Sequence, residues 1–134
     1  MVRFDEGDHF SFLGEEALQA VYNECMKKSS SMTELIQKPY IRPAKVWTRP
    51  TVDRKRGRDG KVIYNWQPHA NCEAALIHSR GEIAPEPCDF CSAKRGRFAE
   101  CVVMPGMFKG ACGNCRWASK DASCSLRKDK EKDM

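Results

Sequence analysis

Residues 88–124 read CDFCSAKRGRFAECVVMPGMFKGACGNCRWASKDASC and hold six of the eight cysteines of this 134-residue chain. The six fall in two similar halves, each a Cys-x-x-Cys pair followed by a third cysteine: Cys88, Cys91, Cys101, Cys112, Cys115 and Cys124. Two residues between paired thiolates let both sulfurs reach one tetrahedral Zn²⁺ at about 2.3 Å. The spacing therefore predicts a two-knuckle zinc module with these cysteines as metal ligands.

Six thiolates cannot give two separate zinc ions four ligands each, so three arrangements remain open. Two sulfurs could bridge a binuclear cluster, two separate sites could recruit Cys72 and His78, or one four-cysteine site could leave two thiols spare. On a regular helix the six steps from Cys72 to His78 turn the two residues about 120° apart, so they would not easily share one metal. We expect two Zn²⁺ and count Cys72 as a seventh candidate ligand, because its helix leads through Pro85 to Cys88.

The contents of the two halves resemble the fungal binuclear zinc-cluster DNA-binding domain. That domain places a basic run after its first Cys-x-x-Cys pair and a proline-containing loop before its second. Here Lys94, Arg95 and Arg97 supply the basic run, and Pro105 with Gly106 lies in the loop. The resemblance implies a binuclear zinc cluster that docks on DNA.

One spacing departs from that pattern, because nine residues separate Cys91 from Cys101 where the zinc-cluster domain usually has six. The extra residues must bulge or lengthen the first helix, and Gly96 lies among them. A closer likeness is to an uncharacterised fungal cysteine-rich family that shares the six cysteines, an upstream cysteine and the wording Cys112-Gly-Asn-Cys115-Arg-Trp117. That likeness covers about residues 69–127 and implies a fungal origin.

Amino-acid composition and the expected cellular compartment bear on whether the cysteines bind zinc or form disulfides. Charged residues make up 31% of the chain and aromatic residues 9%, so the core is thin and zinc is expected to matter for stability. Four disulfides in a secreted protein are the alternative. The start, MVRFDEGD, has no apolar signal core and no apolar run approaches a membrane span, so we expect an intracellular chain with reduced thiols.

The net charge of +5 is concentrated upstream of the cysteines. Residues 42–61 carry eight basic and two acidic side chains, a net charge of +6.

The same region predicts a β-hairpin. Two segments, 45–53 and 61–66, are rich in residues that favour β-strands, and an Asp59-Gly60 turn signal lies between them. The tip, RKRGRDGK at 54–61, contains a Lys-Arg-Gly-Arg sequence that recurs at 94–97. Both copies look like the core of a minor-groove AT-hook. The expected DNA-binding residues are Arg54, Lys55, Arg56, Arg58, Lys61, Lys94, Arg95 and Arg97.

Helical patterns lie on either side of the hairpin. Apolar spacing predicts a helix over 15–28, a capping box at Ser31 and Glu34 predicts a short helix that stops before Pro39, and Asn71 and Gly81 bound a third helix over 72–80. We expect a small zinc-stabilised α+β protein of four segments. They are helical 1–41, the basic hairpin 42–68, the zinc module 69–127 and a disordered charged tail 128–134.

Catalysis has little support in the sequence. There is no glycine-rich phosphate loop and no zinc set of three ligands beside a general base, and sites made only of cysteine are closed and structural. We therefore expect no enzyme activity, no small-molecule substrate and no membrane association. A nuclear DNA-binding protein acting in transcription or chromatin is the first expectation. A zinc-stabilised protein-interaction module without DNA binding is the second.

Overall fold

The computed structural model describes residues 10–48, 58 and 64–127. Its helices are α1 (Glu15–Glu24), α2 (Ser30–Gln37), α3 (His69–Arg80), α4 (Asp89–Ser92) and α5 (Gly113–Arg116). Its strands are β1 (Phe10–Leu13), β2 (Ala44–Trp47), β3 (Glu82–Ile83) and β4 (Val102–Val103). Antiparallel pairing joins β1 to β2 and β3 to β4. The small α+β class predicted from the sequence is confirmed. The predicted disordered tail, 128–134, lies outside the described residues.

Within the described residues, β2 does not pair with the second strand of the predicted hairpin. Strand β2 forms where expected, but it pairs with β1, with Phe10 opposite Trp47 and Leu13 opposite Ala44. On its other side Val46 bridges Phe98, and the Trp47 N–H donates to the Arg97 carbonyl at 3.0 Å. Both edges of β2 are thus occupied, so residues 64–66 of the predicted second strand remain outside the sheet. Residues 49–53 and 61–63 of the two predicted strands lie outside the described residues, and so does the predicted tip except for Arg58.

The first two helices differ from prediction at their ends. Helix α1 stops at Glu24 instead of continuing to 28, and the Lys28 ammonium donates to the Cys25 carbonyl at 2.7 Å just after the helix end. Helix α2 is capped by Ser29, whose hydroxyl accepts the Met32 N–H at 3.0 Å, and not by the predicted Ser31. It ends at Gln37, before Pro39, as predicted.

Helix α3 is the central element of the fold. Every residue from Ala70 to Arg80 is buried, which is the pattern of a helix covered on all sides. It begins at His69, three residues earlier than predicted, and ends at Gly81 as expected. One hydrophobic cluster joins it to the N-terminal helices, to β2 and to four buried residues of the cysteine-rich segment, Phe98, Val102, Met104 and Trp117.

A second, smaller buried cluster is built on the cysteines. It contains Cys88, Cys101, Cys112, Cys115 and Cys124 together with Ala84 and Ala111. Strands β3 and β4 lie at its edge, and the Ala84 N–H donates to the Cys101 carbonyl at 2.8 Å. None of the helices in the described ranges is both long and apolar enough to span a bilayer.

Candidate metal centre and the surface around it

The six clustered cysteines form two overlapping groups of four. One group is Cys88, Cys91, Cys101 and Cys112, the other is Cys88, Cys112, Cys115 and Cys124, and within each group the sulfurs lie within 4.8 Å of one another. Cys88 and Cys112 belong to both groups. The cysteines are thus placed to bind metal, and the sharing of two sulfurs is compatible with the first of the three possibilities that the sequence left open.

The distances between sulfurs suit metal ligands. Cys88 Sγ lies 3.7 Å from Cys112 Sγ and 3.8 Å from Cys115 Sγ, and Cys91 Sγ lies 3.7 Å from Cys112 Sγ. A disulfide would require about 2.05 Å. Two corners of a tetrahedron stand about 1.63 bond lengths apart, so Zn–S bonds of about 2.3 Å place sulfurs about 3.8 Å apart. The sulfurs therefore fit a tetrahedral thiolate site.

Both halves of the repeat present their sulfurs in the same way. Cys88 is the N-cap of α4 and Cys112 is the N-cap of α5. The Cys88 N–H points at Cys101 Sγ and the Cys112 N–H points at Cys124 Sγ, each at 3.4 Å. The third cysteine of each half is thus held against the first. This internal symmetry explains why the two first cysteines take the shared positions.

The thiols are free and their protonation is uneven. All eight cysteines lie in the described part of the chain, and none forms a disulfide. Hydrogen bonds within the group, chiefly to Cys101, lower the pKa of Cys88 and raise the pKa of Cys112. Hydrogen bonds to Cys112 and Cys115 lower the pKa of Cys124 to about 7. Buried sulfurs gathered this closely are placed to bind a metal cation.

The structure does not bring Cys72 or His78 into either group. Cys72 is fully buried in the cluster around α3, where desolvation raises its pKa to about 12 and keeps the thiol neutral. His78 is also fully buried, and its ring stacks on Phe98 with centroids 4.1 Å apart. Both residues serve the packing of α3 in this arrangement, which leaves six cysteines at the centre.

Asn114, between the second pair of cysteines, ties the two halves together. Its Nδ2 donates to the carbonyl oxygens of Phe98 and Glu100 at 2.9 and 3.3 Å and points at Cys91 Sγ at 3.3 Å. Gly96 lies against the same side chain, and a Cβ there would stand 2.3 Å from it. The glycine of the basic run is therefore required by packing on Asn114.

The other residues of the Cys-Gly-Asn-Cys-Arg-Trp motif pack the second knuckle against α3. A Cβ at Gly113 would stand 2.4 Å from His78 Cδ2. The Arg116 guanidinium pairs with the buried Glu73 carboxylate at 2.7 Å. Trp117 packs edge-on against Trp66 and against the aromatic rings of Tyr64 and Phe98. The metal centre and α3 are thus held as one packed unit.

The basic run lies on the surface beside the centre. Helix α4 ends at Ser92 and Lys94 takes a left-handed φ of 59°, so the extra residues form a bulge and do not lengthen the helix. Lys94 and Arg95 are exposed and Arg97 is half-buried. Of the other expected DNA-binding residues, Arg58 is exposed, and Arg54, Lys55, Arg56 and Lys61 lie outside the described residues.

Sequence reasoning missed one cation and three packing residues. Lys120 lines a cavity together with Arg95 and Arg97, although it belongs to the second half of the repeat. Aligning the halves on their cysteine pairs could have found it, because Lys120 follows Cys115 at the distance where the basic run follows Cys91. The contacts of Gly96, Gly113 and Asn114 correspond to no comparable pattern in the sequence.

The comparisons with known proteins cover part of the chain. A family model described as "Protein of unknown function (DUF3716)" matches residues 74–127, from within α3 to just past Cys124. No curated protein and no solved structure is significantly similar to the chain. The matched region contains all six clustered cysteines and the residues that dock them on α3.

Proposed function

We propose that the six cysteines hold two Zn²⁺, with Cys88 and Cys112 as bridging ligands, and that the ions serve structure and not catalysis. The observation that carries this proposal is the sharing of those two sulfurs between two tetrahedrally spaced groups. Zinc suits sites made only of thiolates, which are closed and have no open position for a substrate. Native mass spectrometry before and after chelation tests the count, and a chain that carries no metal and four disulfides would refute it.

We further propose that the zinc-held module is a nuclear DNA-binding unit. Lys94, Arg95 and Arg97 lie on a bulge that Asn114 fixes to the metal centre, so the cations are presented from a rigid base. Six thiolates and two Zn²⁺ together carry −2, and residues 88–124 add six basic and three acidic side chains, so the loaded module is near +1. The net +6 of residues 42–61 is then expected to supply most of the attraction to phosphate.

A salt titration of duplex binding tests the DNA proposal. Log affinity falls with log salt by about 0.9 for each phosphate that a lysine or arginine neutralises. Substituting Arg54, Lys55, Arg56 and Arg58 with alanine should weaken binding and reduce the slope by roughly 2 to 4. Substituting Lys94, Arg95 and Arg97 should change the slope less and any sequence preference more. If only the second set abolishes binding, the module alone is the DNA surface.

The second candidate is a zinc-stabilised protein-interaction module. It is favoured by a groove of about 810 Å³ beside β3, whose lining includes the apolar Ile83, Val103 and Leu126 and the charged Glu82, Glu86 and Lys109. Ile83 is 52% exposed there. An apolar segment flanked by lysine or arginine would match this groove in shape and charge. A zinc-loaded chain that binds no duplex at low salt would favour this candidate over the first.

A further inference from the structure

Cations from both halves of the cysteine repeat meet at one place beside the metal centre. A cavity of about 100 Å³ is lined by Arg95 and Arg97 from the first half, Lys120 from the second, and the rings of Phe90 and Trp117. A wider neighbouring cavity of about 500 Å³ shares Phe90, Arg95 and Lys120 with it. The two therefore form a continuous opening with a narrow inner part.

Aromatic rings set the positions of these cations. Arg95 Cζ and Lys120 Nζ lie 5.5 and 5.6 Å from the centroid of the Phe90 ring. Arg97 Cζ lies 5.4 Å from the Trp117 ring, which is itself packed in the core. Attraction between a cation and a ring face holds each side chain in place without neutralising its charge. The cavity is thus bordered by oriented positive groups.

The charge around the opening is unbalanced. Among the described residues that line the two cavities, three are cationic and one, Asp89, is acidic. Like charges gathered around one space repel one another unless an anion lies between them. One candidate anion is the thiolate cluster itself, since Cys115 lines the wider cavity. The other is a ligand that enters from solvent.

We propose that the inner cavity seats one phosphate group, held by Arg95, Arg97 and Lys120 between the rings of Phe90 and Trp117. Its volume is about three times that of one water in the liquid, which suits a single oxyanion. Guanidinium groups bind phosphate oxygens through paired hydrogen bonds. This site rests on the DNA binding proposed above and assigns one backbone phosphate to a fixed position on the module.

The test uses the full zinc-loaded chain, its single variants Lys120→Gln and Arg95→Gln, and the double variant. Lys27→Gln is the matched control, because Lys27 is an exposed lysine that lines neither cavity. Binding to a short duplex is followed by fluorescence anisotropy across a salt series. Binding of inorganic phosphate is followed by the Trp117 indole NMR signal against chloride at equal ionic strength. Native mass spectrometry counts zinc in each variant.

A shared phosphate seat predicts a non-additive result. Each single variant should lower the salt slope by about 0.9, and the double variant should lower it by no more than that, because the same phosphate is lost. Zinc content should stay unchanged. Inorganic phosphate should shift the Trp117 signal in the parent chain and in Lys27→Gln, and not in Lys120→Gln.

Three outcomes would overturn the seat: an additive loss of slope near 1.8 in the double variant, no loss at all, or zinc loss in the single variants, which would mean that the cations compensate the cluster. If the parent chain binds duplex while Lys120→Gln changes nothing, the seat is wrong and the DNA proposal stands. If inorganic phosphate shifts Trp117 but no duplex binds, the seat stands as a site for a free phosphate and the DNA proposal is wrong.

Discussion

The Asn114 side chain pairs with the backbone of Phe98 in both directions. Its Oδ1 accepts the Phe98 N–H at 2.8 Å and its Nδ2 donates to the Phe98 carbonyl at 2.9 Å. Asn114 belongs to the second half of the repeat and Phe98 follows the basic run of the first half. One amide therefore fixes the surface that carries the cations to the knuckle that carries Cys112, a member of both cysteine groups.

Removing that amide should loosen the whole module. Asn114→Ala leaves two buried backbone groups of Phe98 without partners, each costing about 1 to 3 kcal/mol, so we expect a loss of about 2 to 6 kcal/mol in the free energy of unfolding. Denaturant unfolding of the zinc-loaded chain measures it. The control is Asn23→Ala, because Asn23 makes an exposed bond to Gln19 and should change stability by less than about 0.5 kcal/mol. Equal effects would contradict the prediction.

Bridging and terminal cysteines should behave differently when replaced. Cys88→Ser or Cys112→Ser removes a sulfur that belongs to both groups, so under the proposed two-zinc arrangement zinc binding should fall from two ions to none. Cys101→Ser or Cys124→Ser removes a ligand of one group, and one ion should remain. Cys72→Ala should keep both ions, because Cys72 packs outside the cluster. Native mass spectrometry gives the counts. A loss of zinc in Cys72→Ala would return that residue to the ligand set.

Gly113 should tolerate no side chain. The Cβ of Gly113→Ala would stand 2.4 Å from His78 Cδ2 and 2.6 Å from Nε2, so we expect a cost of about 1 to 3 kcal/mol from overpacking. Combining it with His78→Ala should recover part of that cost, because the methyl group then has space. Gly14→Ala, with no heavy atom within 4 Å of its Cβ, is the control and should cost less than about 1 kcal/mol. Additive effects at positions 78 and 113 would contradict the contact.

The Arg116–Glu73 ion pair should be worth more than an exposed pair. The Glu73 side chain is 1% exposed, and Arg116→Met would leave its carboxylate buried without the guanidinium, at a cost of about 3 to 5 kcal/mol. Adding Glu73→Gln should recover much of this loss. The exposed pair Lys38–Glu34, at 3.9 Å, is the control and should couple by less than about 1 kcal/mol. Double-mutant cycles in denaturant measure both, and equal coupling energies would refute the prediction.

Buried His78 should make the fold less stable in mild acid. Burial lowers the pKa of His78 from 6.5 to about 3, so between these values the unfolded chain binds a proton that the folded chain does not. Stability from this residue is therefore present above pH 6.5 and is lost as the pH falls, by about 1.4 kcal/mol between pH 7.5 and 5.5. His78→Leu should lack this part of the pH dependence. Unfolding of both proteins at the two pH values gives the difference, because acid affects their thiolates alike. Parallel losses would show that His78 is not the group responsible.

The sequence alone determined the features that depend on residues close together in the chain. The spacing of the cysteine pairs placed the six clustered sulfurs, because two residues between thiolates suffice to converge them on a metal. Pro39 and Gly81 fixed the ends of α2 and α3, because one cannot continue a helix and the other readily ends one. The choice among three ligand arrangements needed distances between residues far apart in the chain, and the spacing does not contain them.

Only the tertiary structure decided which segments meet. Val, Trp and Tyr near a turn signal predict a strand without specifying its partner. In the structure β2 pairs with β1 on one edge and bridges Phe98 on the other. Gly113 and Asn114 read as ordinary knuckle residues until α3 and the basic run pack against them. Cys72 lies outside the group of six cysteines for the same reason. Its helix is buried on all sides, so its position is set by packing around α3 and not by its distance in sequence from Cys88.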